Sequence, residues 1–191
     1  LGGSTVKTDE WQIDLCLGAS QKCLSAPANM AFLSVSERAW EIAEEIGYVG
    51  YDALLPFRTA VKQAYFPYTP YWHGTAQLCK AAELLLEEGL AKVIARHEKV
   101  ASYCRERALE IGLKLYPAPG AACSPTVTAL YVPEKMGWKK LDTRLREEGL
   151  VVGGNYGCLA GEVFRIGHMG SQADPELVRE AMDIIERVVK Q

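Results

Sequence analysis

Three prolines in the middle of the chain place the strongest limit on its fold. Pro56, Pro67 and Pro70 lie within residues 51–73, among seven aromatic side chains. Proline lacks the backbone N–H and restricts φ, so a long helix or a central strand cannot run through this segment. We therefore predict an ordered aromatic loop that separates a strand-containing first part from a longer second part.

The first part has the patterns of two short strands and one helix. Residues 13–17 mostly alternate between apolar and polar types and predict a short buried strand, and residues 31–35 predict a second one. Ser34-Val35-Ser36-Glu37 has the spacing of a capping box and predicts a helix that ends near Gly47. Two strands are too few for a sheet buried on both faces, so we expect the chain to begin in the middle of a domain.

The second part has the patterns of a compact α+β domain. Helical periodicity runs from residue 76 to Gly89 and from residue 93 to Gly112. A strand (126–132), a helix (138–148), a short strand (150–152) and a further strand (163–166) are predicted next. Asp174 and Pro175 then predict the start of a closing helix. We expect this helix to bury Leu177, Ala181, Ile184, Ile185 and Val188.

Composition and charge favour a globular protein that does not bind nucleic acid. Hydrophobic residues make up 49% of the chain, which is enough for a core, and the net charge is -3 with no basic run. Nucleic acid is therefore not an expected partner. The chain has no run of about 20 apolar residues and no signal-peptide pattern at its start, which predicts no membrane span and a cytoplasmic location.

Cysteines and histidines give no pattern typical of a metal site. The six cysteines contain no C-x-x-C pair, and the three histidines are far apart in the sequence. We predict reduced thiols and no metal.

Lys22 is the first candidate for chemistry. It follows the first predicted strand in Gly18-Ala19-Ser20-Gln21-Lys22, and ligands bind at the carboxyl ends of strands in open α/β sheets. It is either a solvated loop lysine or a Schiff-base lysine, which needs surroundings that disfavour the ammonium form. Ser20 and Gln21 either hydrogen-bond a phosphate or hold the turn.

Thr69 and Arg165 are the other candidates. Thr69 lies between Pro67 and Pro70, where it either belongs to a stiff loop or offers a hydroxyl to a phosphate. Arg165 follows a glycine-rich run at 153–161 and is the one charge in an apolar strand. It is either an exposed edge residue or a desolvated guanidinium that holds an anion, and a carboxylate bound through two hydrogen bonds is the natural ligand.

These motifs, in this order, resemble the carboxyl-terminal half of a class V aminotransferase. The similarity runs along the whole chain and is greatest to the alanine–glyoxylate and serine–pyruvate aminotransferase group. It implies an α/β fold of the fold-type I transferases that depend on pyridoxal 5'-phosphate. Residues 1–90 would then be the end of the large cofactor-binding domain, whose amino-terminal part is absent, and residues 91–191 the small α+β carboxyl-terminal domain.

The resemblance also implies roles for five residues. Lys22 would be the catalytic residue that forms the internal aldimine with pyridoxal 5'-phosphate, and Arg165 would bind the substrate α-carboxylate. Ser20 and Gln21 match positions near the cofactor phosphate. Thr69 matches a threonine that reaches the phosphate of the neighbouring subunit, in a homodimer with shared active sites.

The sequence departs from the family in two places. A tyrosine often stands where this chain has Phe66, so Tyr65 or Tyr68 would have to supply that phosphate hydrogen bond. The aspartate that pairs with the cofactor's pyridine nitrogen would fall a few residues before Leu1. The implied activity therefore belongs to the complete protein, with the amino-terminal half that this chain lacks.

The implied reaction moves an amino group from a small amino acid, alanine or serine, to a 2-oxo acid, glyoxylate or pyruvate. Two alternatives remain open. One is another fold-type I enzyme, a desulfurase or lyase, for which Cys158 in the glycine run is the candidate thiol. The other is a non-catalytic fragment that needs its missing half.

Overall fold

In the computed structural model of the chain, residues 2–191 are described, and they divide into two compact units. The first unit holds residues 5–84, and the second holds residues 2–4 and 85–191. The strands are β1 (Leu15–Ala19), β2 (Ala31–Val35), β3 (Val127–Tyr131) and β4 (Val163–Gly167). The α-helices are α1 (Glu37–Ile46), α2 (Leu55–Arg58), α3 (Ala60–Gln63), α4 (Trp72–Glu88), α5 (Leu90–Glu110), α6 (Trp138–Glu147) and α7 (Pro175–Val189).

In the first unit, β1 and β2 form an antiparallel pair, with Leu15 opposite Val35 and Ala19 opposite Ala31. The second strand has the predicted bounds, and the first begins two residues later than predicted. The predicted burial of β1 is wrong for this chain, because Leu15 is 52% exposed and Leu17 is 73% exposed. These side chains are exposed because nothing in the described part of this unit covers them.

α1 begins close to the predicted position, but with a different cap. The Ser36 hydroxyl accepts a hydrogen bond from the Ala39 amide (3.1 Å) and donates one to Asp14 (2.8 Å). A capping box would have used Ser34 instead, so the pattern located the helix correctly and its cap two residues too early. The helix ends at Gly47, as predicted, where φ is +60° and glycine carries no steric cost.

Residues 51–71 contain no long helix or strand, as their prolines predict, but the long helix α4 begins at Trp72, within the predicted loop and four residues before its predicted start. The segment does hold α2 and α3, each of four residues. Pro56 is the second residue of α2, a position where the missing N–H leaves no intrahelical bond unmade. Pro67 and Pro70 lie before α4, which begins at Trp72.

The second unit packs three helices against an antiparallel pair of strands. β3 and β4 pair with Val127 opposite Gly167 and Tyr131 opposite Val163. α5, α6 and α7 contribute the rest of one hydrophobic core, and removal of this apolar surface from water is the main stabilising term. The fully buried side chains of the core include Cys104, Leu130, Leu141, Leu145, Phe164, Met182 and Ile185.

α7 begins as predicted, but its buried face differs. Asp174 accepts hydrogen bonds from the amides of Glu176 (2.8 Å) and Leu177 (3.0 Å). Leu177 is nevertheless 44% exposed, whereas Val178 is 4% exposed and Met182 is fully buried. The prediction for Leu177 is therefore wrong, because Val178 and Met182 are the residues that face the core in the first turns of the helix. Ala181 is partly buried, and Ile184, Ile185 and Val188 are buried as predicted.

Residues 150–152 do not form the predicted strand. The backbone makes one isolated bridge just after them, between Gly153 and Arg165. The amide of Leu150 donates instead to the carbonyl of Leu145 in α6 (2.8 Å), so the segment begins bonded to the end of that helix.

Candidate functional site

Lys22 lies on an exposed turn three residues beyond the end of β1, as the sequence predicts. Ser20 braces this turn. Its fully buried hydroxyl donates a hydrogen bond to the Pro27 carbonyl (2.5 Å) and accepts one from the Met30 amide (3.2 Å). Its backbone amide also donates to the Met30 carbonyl (3.0 Å). The start of the lysine turn is therefore held by side-chain and backbone bonds.

The Lys22 amine forms no ion pair with any residue between 2 and 191. Gln21 is exposed beside it. Lys22 thus presents an amine, next to an amide, from a turn whose backbone is fixed.

The glycine that opens this motif has a packing role. Gly18 lies opposite Phe32 in the strand pair, and a Cβ at residue 18 would fall 2.1 Å from the Phe32 ring. The ring therefore lies across the strand just before the lysine turn, where only glycine leaves room for it.

Thr69 is exposed on the loop before α4, in the same unit as Lys22, and makes no hydrogen bond to the lysine turn. Next to it, the Tyr68 hydroxyl donates to the Tyr51 carbonyl, and the two rings lie 4.7 Å apart. Because a phenol has one hydrogen to donate, the Tyr68 hydroxyl has no second hydrogen for a phosphate. Tyr65, which is 60% exposed, is the better candidate for the phosphate bond that Phe66 cannot make.

Arg165 is partly buried in β4, and its guanidinium is held by a backbone carbonyl. Nε (3.1 Å) and Nη2 (2.7 Å) both donate to the carbonyl of Gly154. The ring of Tyr156 lies 5.6 Å from the guanidinium carbon. No carboxylate in the described part of the chain pairs with this cation. The charge is therefore fixed in place and left uncompensated, as an anion site requires.

Close packing explains why residue 154 is glycine. A Cβ there would lie 2.9 Å from the indole of Trp138, and this indole stacks on the buried Phe164 ring with centroids 6.4 Å apart. The Trp138 ring therefore has little freedom to move away.

The sequence indicates the glycine-rich run at 153–161, but it does not indicate which residues of that run contact Arg165. The contacts of Gly154 and Tyr156 join residues about ten positions apart, and one bond uses a backbone oxygen, which has no sequence signature. Cys158, the candidate thiol of the alternative reading, is exposed in a 3-10 helix (Gly157–Leu159).

The predicted site residues fall in both units. Ser20, Gln21 and Lys22 share one turn of the first unit, which also contains Thr69, and Arg165 belongs to the second unit.

Two buried histidines of the second unit have structural contacts. His97 Nε2 accepts from the Gly170 amide (2.8 Å), and Nδ1 lies 2.7 Å from the Val93 carbonyl, which assigns the proton to Nδ1. His168 Nε2 lies 2.8 Å from the Thr128 hydroxyl, while its Nδ1 is buried without a partner among the described residues. Burial lowers the pKa of His168 below its ordinary value.

None of the helices within residues 2–191 combines the length and the apolar composition that a bilayer crossing requires.

Comparison with known proteins identifies the family. No family model matches the chain. An uncharacterised aminotransferase of Methanocaldococcus jannaschii is 38% identical over 184 residues, which cover 93% of this chain and 47% of that protein. The serine–glyoxylate aminotransferase of Hyphomicrobium methylovorum is 31% identical and covers 100% of this chain and 48% of its own length.

A solved structure agrees with these relatives. The alanine–glyoxylate aminotransferase of a Nostoc species has a TM-score of 0.87 and 29% identity, over 99% of this chain and 51% of the other. The chain thus spans about half the length of the curated relatives it matches. It belongs to the class V aminotransferases of fold type I and corresponds to the carboxyl-terminal half of their chains.

Proposed function

We propose that the complete protein is an aminotransferase that depends on pyridoxal 5'-phosphate and moves an amino group from alanine or serine to glyoxylate or pyruvate. The observation that carries the proposal is the Lys22 amine on its braced turn, where no residue between 2 and 191 forms an ion pair with it. Relatives named serine–glyoxylate and alanine–glyoxylate aminotransferases support these substrates.

The residues present fit pyridoxal 5'-phosphate. Its aldehyde needs a primary amine that no carboxylate neutralises, and Lys22 meets that condition. The exposed Gln21 amide and Thr69 hydroxyl are donors suited to a phosphate. Ser20 contributes by bracing the turn, because its hydrogen is already donated to Pro27. When bound, the cofactor supplies an electron sink for the bonds at the substrate Cα.

Lys22 and Arg165 would have different roles in the reaction. Lys22 would hold the cofactor through its amine. The same amine would take the proton from the substrate Cα as a general base and later return a proton as a general acid. Arg165 binds the α-carboxylate and so orients the Cα–H bond.

The assembly is also part of the proposal. We infer that further chain covers the exposed side chains of β1, since the relatives are about twice as long. Thr69 would serve the cofactor phosphate of a second subunit, in a homodimer with shared sites. A cytoplasmic location is proposed from the sequence alone.

The first test is turnover with and without Lys22. The complete protein with its cofactor should transfer the amino group with parallel-line, ping-pong kinetics. Lys22→Ala should reduce turnover to the background rate, because both the covalent anchor and the proton carrier are lost. Lys62→Ala, an exposed lysine of α3, is the matched control and should keep wild-type turnover. Wild-type turnover in Lys22→Ala would refute the proposal.

A further inference from the structure

The backbone and side chain of Arg165 are bound to the same short segment. Its amide donates to the Gly153 carbonyl (2.7 Å), and its carbonyl accepts from the Gly153 amide (3.0 Å). Its side chain then donates twice to the carbonyl of Gly154. The two backbone bonds hold the main chain of Arg165 against Gly153, and the two side-chain bonds tie its guanidinium to the neighbouring carbonyl.

These bonds use one particular edge of the guanidinium. Nε and Nη2 form the side edge of the planar group, and both donate to Gly154. The end edge, formed by Nη1 and the second hydrogen of Nη2, has no acceptor from the described residues. A planar carboxylate can accept two parallel hydrogen bonds there.

Tyr156 restricts the group in a second direction. Its ring lies 5.6 Å from the guanidinium carbon, within the range of about 6 Å over which a cation is attracted to an aromatic face. Tyr156 is 79% exposed, so its ring makes little contribution to the core. Because both side-chain hydrogen bonds go to one oxygen atom, the guanidinium plane could still rotate about that oxygen. The Tyr156 ring limits this rotation.

We propose that Tyr156 and the backbone carbonyl of Gly154 are positioning groups for Arg165, which hold its end edge in the plane where a substrate carboxylate binds. This inference rests on the proposed function and adds two residues to it. Neither group needs to touch the substrate. Both act through the direction in which the Arg165 fork points.

The test is carboxylate binding without catalysis. Propionate has the carbon skeleton and carboxylate of alanine but no amino group, so it cannot react. Its dissociation constant is measured by calorimetry on the complete protein with cofactor bound, for wild type, Tyr156→Leu and Tyr156→Phe. Tyr156→Leu should weaken binding about two- to fivefold, which is the value of an exposed cation–π contact. Tyr156→Phe keeps the ring and should bind as wild type does.

An Arg165→Lys background separates positioning from a general effect. Lysine keeps the charge but lacks the planar fork, so adding Tyr156→Leu to it should produce no further loss. The KM for the amino donor should follow the propionate constant, with kcat nearly unchanged. Equal losses from Tyr156→Leu in both backgrounds, or equal losses in Tyr156→Leu and Tyr156→Phe, would overturn the proposal.

The inference and the proposed function fail in different ways. If the protein transfers amino groups but Tyr156→Leu binds propionate normally, only the positioning role is lost. If propionate binding depends on Arg165 and Tyr156 but no amino group is transferred, the aminotransferase proposal is lost and the anion site remains.

Discussion

The contacts of Arg165 with its own chain support the proposal that it binds a carboxylate. The described residues offer it one carbonyl and one aromatic face, and no carboxylate. A partly buried cation without a counterion is costly unless an anion completes the site. The sequence pattern offered this possibility, because the one charged residue of an apolar strand is either an exposed edge residue or a desolvated cation that holds an anion.

Removal of the Arg165 side chain should separate two kinds of substrate. Arg165→Ala should lower kcat/KM for the amino acid about 10- to 100-fold, the range for lost hydrogen bonds to a charged group. The corresponding amine without a carboxylate should react as it does with the wild type. Arg179→Ala, an exposed arginine of α7, is the control and should change neither rate. Equal losses for both substrates would show that Arg165 does not bind the carboxylate.

His168 is a residue whose burial has a consequence for pH. Burial is the largest cause that lowers its pKa below 6.5, and the nearby charge of Arg105 acts in the same direction. The folded protein therefore resists protonation of this ring more than the unfolded chain does. Since the unfolded chain then binds more protons below pH 6.5, stability is lost as the pH falls through this range.

We expect the free energy of unfolding to fall between pH 7 and pH 5.5, by at most about 1.4 kcal/mol per pH unit from this group. His168→Gln keeps a hydrogen-bonding partner for Thr128 but does not titrate, so its decrease should be smaller. His73→Gln, at an exposed position, should retain the wild-type slope. Urea unfolding measures all three proteins, and parallel slopes for wild type and His168→Gln would contradict this account.

A short segment contacts each candidate side chain or its turn, and each of these segments contains a glycine that packing requires. Gly18 makes room for Phe32 before the lysine turn, and Gly154 makes room for Trp138 beside Arg165. At this scale, the two glycines explain how the backbone is packed beside each candidate side chain, Lys22 on its exposed turn and Arg165 in β4.

Two adjacent glycines make this argument testable. Gly154→Ala should destabilise the protein by about 1–3 kcal/mol, because its Cβ would overlap the Trp138 ring. Gly153→Ala should be close to neutral, since its nearest neighbour, Arg165 Nη2, would be at an ordinary 3.6 Å. Urea midpoints at pH 7 give both values. A cost at residue 153 as large as that at residue 154 would refute the packing explanation.

The bounds of most elements could be predicted because periodicity, caps and glycines agree. Asp174 and Pro175 located the start of α7, and Gly47 the end of α1. The failures depend on tertiary contacts. Leu177 fits the apolar periodicity of α7 but is exposed, because the periodicity does not determine which side of the helix faces the sheet. Residues 150–152 have strand-like composition, but the amide of Leu150 donates to the carbonyl of Leu145 at the end of α6, a contact that composition does not reveal.

At the scale of the whole molecule, the candidate residues belong to two units. The motifs around Lys22 and Arg165 were visible in the sequence because each is short and local. Contacts such as those of Tyr156 with Arg165 could not be predicted, since they depend on how the glycine run folds. The exposure of Leu15 and Leu17 in β1 likewise could not be predicted from the sequence. It is explained by comparison with relatives that are about twice as long as this chain.

The central claim is that Lys22 is the residue that binds the cofactor, and one measurement tests it most directly. The complete protein is mixed with pyridoxal 5'-phosphate, reduced with borohydride, digested and mapped by mass spectrometry. We predict one labelled peptide, with the cofactor mass on Lys22, and no such peptide in Lys22→Ala. Label spread over exposed lysines such as Lys62, or label that persists in Lys22→Ala, would contradict the account.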